Sequence, residues 1–216
     1  MKTKAELVEL LKSDIQAFNA YRQQLFDEGI IGLDLRYLDL RDVNLSYANL
    51  GNVILRGANL NGANLNDTDL SNANLSNANL SGSRLVNANL YYANLSNSSL
   101  YYANLKHADL RNVDLRDADL RNANLFNANL SFANLRNSNL SYVNLKEVNL
   151  WSTNLESAKF NQEFIQVIGL GSEKRMTTYL FEDDLIFCGC FKGSLKEFKK
   201  RVKETYPDEN NKYRLE

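Results

Sequence analysis

Residues 73–95 read ANLSNANLSGSRLVNANLYYANL, a stretch built from a five-residue unit that repeats without interruption. Followed in both directions, the unit places leucine at every fifth position from Leu35 to Leu155, with Phe160 at the next one, which makes 26 consecutive repeat centres. Two positions before the centre, 14 of the 26 residues are alanine, and one position before it 22 are asparagine or aspartate. A tandem repeat this regular predicts a solenoid over most of the chain.

A period of five is neither the 3.6 of a helix nor the 2 of a long strand. The first three residues of each unit alternate between small, polar and leucine, which favours a three-residue strand with its first and third side chains inside. The two variable residues that follow are rich in Ser, Asn, Gly, Asp and Tyr and favour a corner. If each corner turns by a right angle, four units close a coil of 20 residues, and coils stack at about 4.8 Å.

The unit resembles the A(N/D)LXX consensus of the pentapeptide-repeat family, as in Ala73-Asn74-Leu75-Ser76-Asn77, and the resemblance extends from Leu33 to Phe160. It implies a mainly β fold, a right-handed quadrilateral β-helix with four flat faces, in which the leucine and the small residue point inward. Four residues depart from the usual Asn or Asp before the centre: Ile54, Arg84, Ser99 and Lys159. At Arg84 two interpretations stay open, a locally irregular coil and a docking site.

The chain outside the repeats predicts a cover for each open end of the solenoid, whose strand edges would otherwise be exposed. We expect residues 1–29 to form an N-terminal α-helical cap, residues 30–160 the solenoid, and residues 161–216 a small C-terminal α+β module. Thr3 and Glu6 have the spacing of a capping box that opens a helix, and Gly29 can end it. One helical face is apolar and should pack on the first coil: Val8, Leu11, Ile15, Phe18 and Leu25.

The C-terminal module is predicted to contain three strands and a helix, in the order β-β-β-α. The strands are expected at Phe164–Leu170, Arg175–Phe181 and Leu185–Cys190, because these runs are apolar or β-branched and are bounded by turn residues. Ser194, with Glu197 three residues later, predicts the start of a helix that runs to about Tyr206, before Pro207. We expect this module to pack on the last coil.

Composition limits the classes of partner. Lys and Arg number 25 against 26 Asp and Glu, so the net charge of −1 gives no global reason to expect nucleic acid or a membrane surface as a partner. Two cysteines make no extracellular disulfide framework, and the charged N-terminus lacks the apolar core of a signal peptide. We therefore expect a cytoplasmic monomer or homodimer with a protein partner whose identity the sequence does not give.

No group of residues predicts catalysis, a cofactor or a metal. His107 is the only histidine and falls at a corner, and Cys188 and Cys190 are expected to be a buried structural pair. Gly169 and Gly171 lack the Lys-Ser/Thr of a phosphate-binding loop. Asp109, Asp114 and Asp119 fall on successive faces with arginines between them, which favours a solvated belt of ion pairs. We therefore expect a protein that is not an enzyme.

Aromatic residues at outward positions are the candidate protein-binding residues. Tyr91-Tyr92 and Tyr101-Tyr102 are ten residues apart, which is half a coil, so the two pairs should lie on opposite sides at one level. A coil of 20 residues places Arg111 beside Tyr91 and Arg121 beside Tyr101, where stacking is expected. Two interpretations stay open, binding hot spots and simple shielding of the backbone. The candidates are Tyr91, Tyr92, Tyr101, Tyr102, Arg111, Arg121, Phe132 and Tyr142.

The sequence favours a non-catalytic structural or protein-binding scaffold. The alternative is a DNA-mimicking modulator of a type II topoisomerase such as gyrase, a function that the family resemblance makes possible. A DNA mimic should present strong negative potential, because its partner's groove is built for phosphates. Between Leu33 and Phe160, however, 11 acidic residues face 11 basic ones. This opposes mimicry unless a single face is acidic.

Overall fold

The computed structural model describes residues 1–145, 147–161, 164–170, 175–180, 185–188 and 191–205. Its main body is a stack of coils in which parallel bridges join residues exactly one predicted coil apart, from Asp34 with Ile54 to Asn139 with Lys159. The backbone hydrogen bonds run between coils, as from the Leu35 amide to the Ile54 carbonyl (2.8 Å). Four five-residue units therefore make one coil of 20 residues, which confirms the prediction.

The coil has four walls, which we number by the first bridged residue in each. The first wall begins with Asp34, the second with Asp39, the third with Asn44 and the fourth with Asn49. Each wall residue is followed by a leucine and then by a two-residue corner. The leucines fill the axis, and Leu95 in a middle coil has no exposed surface. The residue before most wall positions is buried as well, as at Ala93, whereas Leu38, Val43 and Val143 are partly buried.

The corners are tight turns that place their second residue in the left-handed conformation. At most corners the amide after the corner donates a hydrogen bond to the carbonyl of the leucine before it, as from Ala48 to Leu45 (3.1 Å), and φ at the second corner residue is positive, as at Asn97 (59°). This combination is the pattern of a type II turn. Gly, Asn and Asp tolerate it best, which explains why they dominate the position. Six aromatic residues nevertheless occupy it: Tyr37, Tyr47, Tyr92, Tyr102, Phe132 and Tyr142.

The N-terminal segment forms two helices where the sequence predicted one. Helix α1 (Lys4–Ser13) starts with the Thr3/Glu6 capping box, and α2 (Ile15–Asp27) starts at Asp14, whose side chain accepts a hydrogen bond from the Ala17 amide. The break arises because Asp14 leaves the helical conformation (φ −151°) and caps the second helix. Because of this break, the buried residues do not follow the single helical face that the sequence predicted. Leu7, Leu11, Phe18 and Leu25 are buried, whereas Val8 and Ile15 of the predicted face are only half-buried.

Helix α2 places polar side chains against the open edge of the first coil. The Asn19 amide donates to the Tyr47 carbonyl (2.9 Å), and its oxygen accepts from the Asn49 amide (2.7 Å). Arg22 is 4% exposed and donates to the carbonyls of Ile31 (3.0 Å) and Gly51 (2.9 Å), and burial lowers the pKa of its guanidinium. These bonds occupy backbone groups that no preceding coil can reach.

The C-terminal module is a four-stranded antiparallel sheet, in the order β1-β2-β3-β4, followed by a helix. The prediction of three strands was incomplete, because a short fourth strand follows the third. Ser194 and Glu197 form the predicted capping box, with the Ser194 amide donating to Glu197 Oε2 (2.9 Å). Phe181, Cys190 and Tyr206, expected ends of elements, lie outside the described residues. The elements are β1 (Phe164–Leu170), β2 (Arg175–Leu180), β3 (Leu185–Cys188), β4 (Phe191–Gly193) and α3 (Leu195–Thr205).

Among the described helices, none is both long and apolar enough to span a bilayer.

Candidate functional site

Two constellations of the same composition lie in adjoining coils on opposite sides of the solenoid. The Tyr91 site consists of Tyr91, Tyr92, Asp109 and Arg111, and the Tyr101 site consists of Tyr101, Tyr102, Asp119 and Arg121. Tyr91-Tyr92 follows the fourth wall and Tyr101-Tyr102 follows the second, so half a coil separates them. The two sites therefore face away from each other, as the spacing predicted.

Each site holds two rings and a guanidinium in nearly identical geometry. The ring centroids of Tyr91 and Tyr92 are 4.5 Å apart with an interplanar angle of 77°, and Tyr101 and Tyr102 repeat both values. The guanidinium carbon of Arg111 lies 5.0 Å from the Tyr91 centroid, and that of Arg121 lies 5.2 Å from the Tyr101 centroid. Edge-to-face rings and an arginine over a ring are both favourable arrangements.

An aspartate holds each arginine in place. Arg111 donates from Nε to Asp109 Oδ1 (2.8 Å), and Arg121 donates from Nε to Asp119 Oδ1 (2.8 Å). Each arginine also donates from Nη2 to the second carboxylate oxygen, so both pairs are bidentate. The side-chain hydrogen bond from arginine lowers the pKa of Asp109 and of Asp119. Each guanidinium is thus held in a fixed orientation by its aspartate.

The tyrosines differ in exposure and in backbone conformation. Tyr92 and Tyr102 are 54% and 59% exposed, and both have φ of 57° in the left-handed region. Tyr91 is half-buried beneath its neighbour. Desolvation raises the pKa of the Tyr91 hydroxyl, and a side-chain hydrogen bond with Tyr102 raises the pKa of Tyr101. At pH 7 both hydroxyls are therefore neutral and able to donate hydrogen bonds.

The other two candidate aromatics do not join these sites. Phe132 lies in the same corner column as Tyr92 but two coils away, with Asn112 between them, and it packs instead on Trp151 with a centroid distance of 4.8 Å. Tyr142 is related to Tyr102 in the same way and is 72% exposed. At a coil spacing of about 4.8 Å, each is roughly 10 Å from its predicted group along the solenoid.

The structure adds an aromatic residue that the sequence analysis missed. Phe126 is 45% exposed and follows the third wall, one coil beyond Lys106 and His107. The Lys106 ammonium lies 5.8 Å from its ring centroid, and the His107 ring makes an edge contact at 5.9 Å. Adding 20 to the number of Lys106 would have found this group, the same rule that paired Tyr91 with Arg111.

Arg84 does not disturb its coil. Its amide bonds to the Ala63 carbonyl (2.9 Å), its carbonyl accepts from the Leu65 amide (2.6 Å), and parallel bridges join it to Asn64 and Asn104. The adjacent Ser83 is buried and donates to the Leu80 carbonyl (2.7 Å). The irregular-coil interpretation is therefore wrong, and Arg84 projects from an ordinary wall position with an exposed side chain.

Three aspartates of the middle coils pair with arginines. Asp109, Asp114 and Asp119 each pair with the arginine two residues later, so the predicted ion-pair belt is present. No group of three or more His, Cys, Asp or Glu side chains could hold a metal within the part of the chain that the structure describes. Gly171 and Cys190 lie outside that part.

The ladders also assign every charge of the repeats to a wall and the corner that follows it. On the first wall four arginines face four acids, and the second wall is likewise neutral. The fourth carries Asp69 and Asp109 against Arg111, a net of one negative charge. By sequence position the third wall carries one positive charge in excess. No wall therefore presents the acidic surface that DNA mimicry requires.

Residues 31–162 match the family model for pentapeptide repeats, in overlapping segments from 31–62 to 123–162. Among curated proteins, none matches this chain. Similar solved structures include HetL, a pentapeptide repeat protein involved in heterocyst differentiation regulation from the cyanobacterium Nostoc sp. strain PCC 7120 (32% identity over 59% of this chain and 70% of that one, TM-score 0.33).

Two further solved structures are similar. One is Rfr23, a pentapeptide repeat protein from the cyanobacterium Cyanothece 51142 (29% identity, 66% of this chain, 93% of that one, TM-score 0.30). The other is QnrB1, a plasmid-mediated fluoroquinolone resistance protein (16% identity, 60% of this chain, 84% of that one, TM-score 0.32). Because these TM-scores are below 0.5, the classification rests on the family model, which covers more than half of the chain.

Proposed function

The chain belongs to the pentapeptide-repeat family, whose repeats build a right-handed quadrilateral β-helix, and from this premise we propose that it is a non-catalytic protein-binding scaffold. The working surfaces are the Tyr91 site and the Tyr101 site. A partner meets at each of them an exposed tyrosine, a second ring in edge contact and an oriented guanidinium. Tyrosine and arginine are the residue types most enriched at binding hot spots.

One observation carries this proposal. Tyr92 and Tyr102 occupy the left-handed corner position, which Asn fills at Asn97 and at many other corners, and of the six Tyr and Phe residues at this position they are the two that directly follow another tyrosine. The backbone conformation does not favour tyrosine at this position, because the left-handed conformation costs tyrosine more free energy than it costs Asn or Gly. A residue that breaks a local rule of its fold is expected where function requires it. Shielding of the backbone does not require a tyrosine, since most corners carry smaller residues at this position.

The two sites point in opposite directions, so one flat partner cannot cover both. We expect each site to take its own copy of the partner, which would make the chain a bridge between two partner molecules. The opposing possibility is that a single site is used and the other is idle. The stoichiometry of the complex distinguishes these outcomes.

The test replaces each tyrosine pair with the Ser-Asn corner that the chain already uses at Ser96-Asn97. Tyr91→Ser with Tyr92→Asn removes one site, Tyr101→Ser with Tyr102→Asn removes the other, and both together remove the two. Tagged full-length chains would capture proteins from lysate of the native host, with the quadruple variant as the reference for background. We expect a protein that binds the unmodified chain, binds each double variant less and is lost from the quadruple variant.

Equal capture by all four chains, with their melting temperatures unchanged, would return the tyrosines to a shielding role. A supercoiling assay with a type II topoisomerase on the same samples tests the alternative function. Because every wall is close to neutral, we expect no inhibition at stoichiometric concentrations. Potent inhibition by the unmodified chain would favour the DNA-mimic alternative over a scaffold.

A further inference from the structure

The third wall carries positive charge and no acidic residue over three coils. From Arg84 to Asn127, its outward positions and the corners that follow them hold Arg84, Lys106 and His107 among asparagines, Val86 and Phe126, and by sequence position the next corner of this wall holds Lys146 and Glu147. The arginines of the tyrosine sites are already bonded to acids, but Arg84 and Lys106 are not. Within the described part of the chain, neither Arg84 nor Lys106 forms an ion pair with an acidic residue of its own wall or of a neighbouring wall.

Next to these cations the wall is concave. An open depression of about 430 Å³ is lined by Lys106, Asn124, Phe126, Tyr142 and Asn144, with Tyr142 at the leading corner of the wall and Phe126 at its trailing corner. Phe126 is 45% exposed and Tyr142 is 72% exposed. The Lys106 ammonium lies over the Phe126 ring, so the cation is at the rim of the apolar surface.

The row of third-wall residues from Arg84 to Asn144, which we call the strip, has a defined length and direction. Parallel bridges join Arg84 to Asn104 and Asn104 to Asn124, so these residues follow one another along the solenoid. From Arg84 to Asn144 is three coils, or about 14 Å at 4.8 Å per coil. An extended peptide of four or five residues covers that distance at about 3.3 Å per residue.

From these observations we infer that the third wall binds an acidic peptide segment in extended conformation, with one large apolar side chain in the depression. The apolar side chain packs between Phe126 and Tyr142, and flanking carboxylates pair with Lys106 and Arg84. The asparagine amides of the wall offer hydrogen bonds to the peptide backbone. This site is separate from the proposed function, because neither tyrosine pair lines the depression.

Cations beside exposed aromatic rings are also features of single-stranded nucleic-acid binding. A peptide fits better here for two reasons. A nucleic-acid groove tracks the backbone with many cations, whereas the described residues of this wall include two cations without an acidic partner, and the whole chain has a net charge of −1. The depression is also bordered by two aromatic residues, Phe126 and Tyr142, at opposite corners of the wall, and not lined by a row of aromatic rings on which successive bases could stack.

The experiment measures fluorescence anisotropy of a labelled peptide, Asp-Glu-Phe-Glu-Asp, titrated with the full-length protein at 50 mM salt. We expect saturable binding that weakens at 200 mM salt, and weaker binding of the same peptide with Ser in place of Phe. Arg84→Asn with Lys106→Gln should lower the affinity about tenfold, because two exposed charge pairs with the peptide are lost. Arg84→Asn restores the Asn found at Asn64 and Asn104, so the coil should remain intact. Phe126→Ser should also lower the affinity.

Arg56→Gln is the matched control, because Arg56 has no acid partner among the described residues but follows the first wall. It should leave the affinity unchanged, and so should the quadruple tyrosine variant. Equal binding of a Lys-Lys-Phe-Lys-Lys peptide, no effect of the Arg84/Lys106 double variant, or no binding at all would overturn the proposal. Tighter binding of oligothymidine that displaces the peptide would replace it with a nucleic-acid surface.

Discussion

Arg111 lies one coil beyond Tyr91 and stacks on its ring, with the guanidinium carbon 5.0 Å from the ring centroid. The two residues are 20 positions apart, and the Tyr92 amide bonds to the Arg111 carbonyl (3.1 Å), so the ladder itself fixes their proximity. The same relationship recurs between Arg121 and Tyr101 at 5.2 Å. In this fold the residue that a side chain meets is decided by the coil period, which makes such contacts both predictable and testable.

The left-handed corner should make the effect of a substitution depend on the position within the tyrosine pair. Tyr92→Asn and Tyr92→Ala both remove the ring contact, but Asn tolerates a φ of 57° better than Ala does. We expect the Asn variant to be more stable by about 1 kcal/mol in urea unfolding. At Tyr91, where φ is not positive, Asn and Ala variants should have equal stability. Equal stability of the two variants at position 92 would contradict the strain on which the proposed function depends.

The leucine column should be intolerant of change at a middle coil. Leu95 is completely buried, so Leu95→Ala should lower the free energy of unfolding by about 2–5 kcal/mol through lost contacts and a cavity. Leu95→Asp should be worse, because it buries a carboxylate among leucines. Asn97→Asp, at an exposed corner two residues later, is the control. Its free energy of unfolding should stay within about 0.5 kcal/mol of the value for the unmodified protein. A normal melt for Leu95→Asp would refute the inward assignment.

The N-terminal helices should protect the first coil from association. Deleting residues 1–28 removes Asn19 and Arg22, whose bonds occupy the free edge, and exposes Leu33 and its neighbours. Light scattering should then show association that grows with protein concentration.

A point variant separates edge bonding from the loss of the whole cap. Asn19→Ala should cost about 1–2 kcal/mol, because it leaves the Tyr47 carbonyl and the Asn49 amide without these partners. Gln16→Ala, an exposed position on the same helix, should cost almost nothing. A stable monomer after deletion of residues 1–28 would show that the helices are not a cap.

The protein should become less stable in acid, because protonation of the aspartates removes their ion pairs with corner arginines. Hydrogen bonds from Arg111 and Arg121 lower the pKa of Asp109 and Asp119, and the hydrogen bond from Arg41 lowers the pKa of Asp39 to about 2. An aspartate whose folded pKa is depressed stabilises the fold above its unfolded pKa of about 3.9 and loses that contribution as pH falls through the folded value. The melting temperature should therefore fall between pH 4 and pH 2.

Replacing Asp39, Asp109 and Asp119 by Asn should make this fall shallower, because the variant has fewer carboxylates to protonate. Asp117→Asn is the control, since Asp117 accepts a hydrogen bond from Asn137 and not from an arginine. Its melting curve should keep the steep dependence of the unmodified protein. A triple variant with an unchanged pH dependence would show that these pairs contribute nothing to acid stability.

Part of each candidate site could be predicted from the sequence because it depends on the repeat period alone. The pairing of Tyr91 with Arg111 followed from adding 20, and so did the position of the two tyrosine pairs on opposite sides. Phe126 was missed, although the same arithmetic places it beside Lys106. The sequence could not predict the depression, because its shape depends on the rotamers of Tyr142 and Phe126 at the two corners that border the wall. Rotamers at exposed corners are not encoded by a period.

The sequence by itself determined the coil of four units, the inward leucines and the outward asparagines, because a strict five-residue period allows each position a single environment. Only the tertiary structure decided what happens where the period ends. Asp14 divides the cap into two helices, and Asn19 and Arg22 meet the free edge, because those choices depend on backbone groups left unpaired by the first coil. The tertiary structure also showed that Arg84 occupies a regular wall position. The inter-coil hydrogen bonds hold the backbone in register whatever the outward side chain is, so an exposed substitution changes the surface and not the fold.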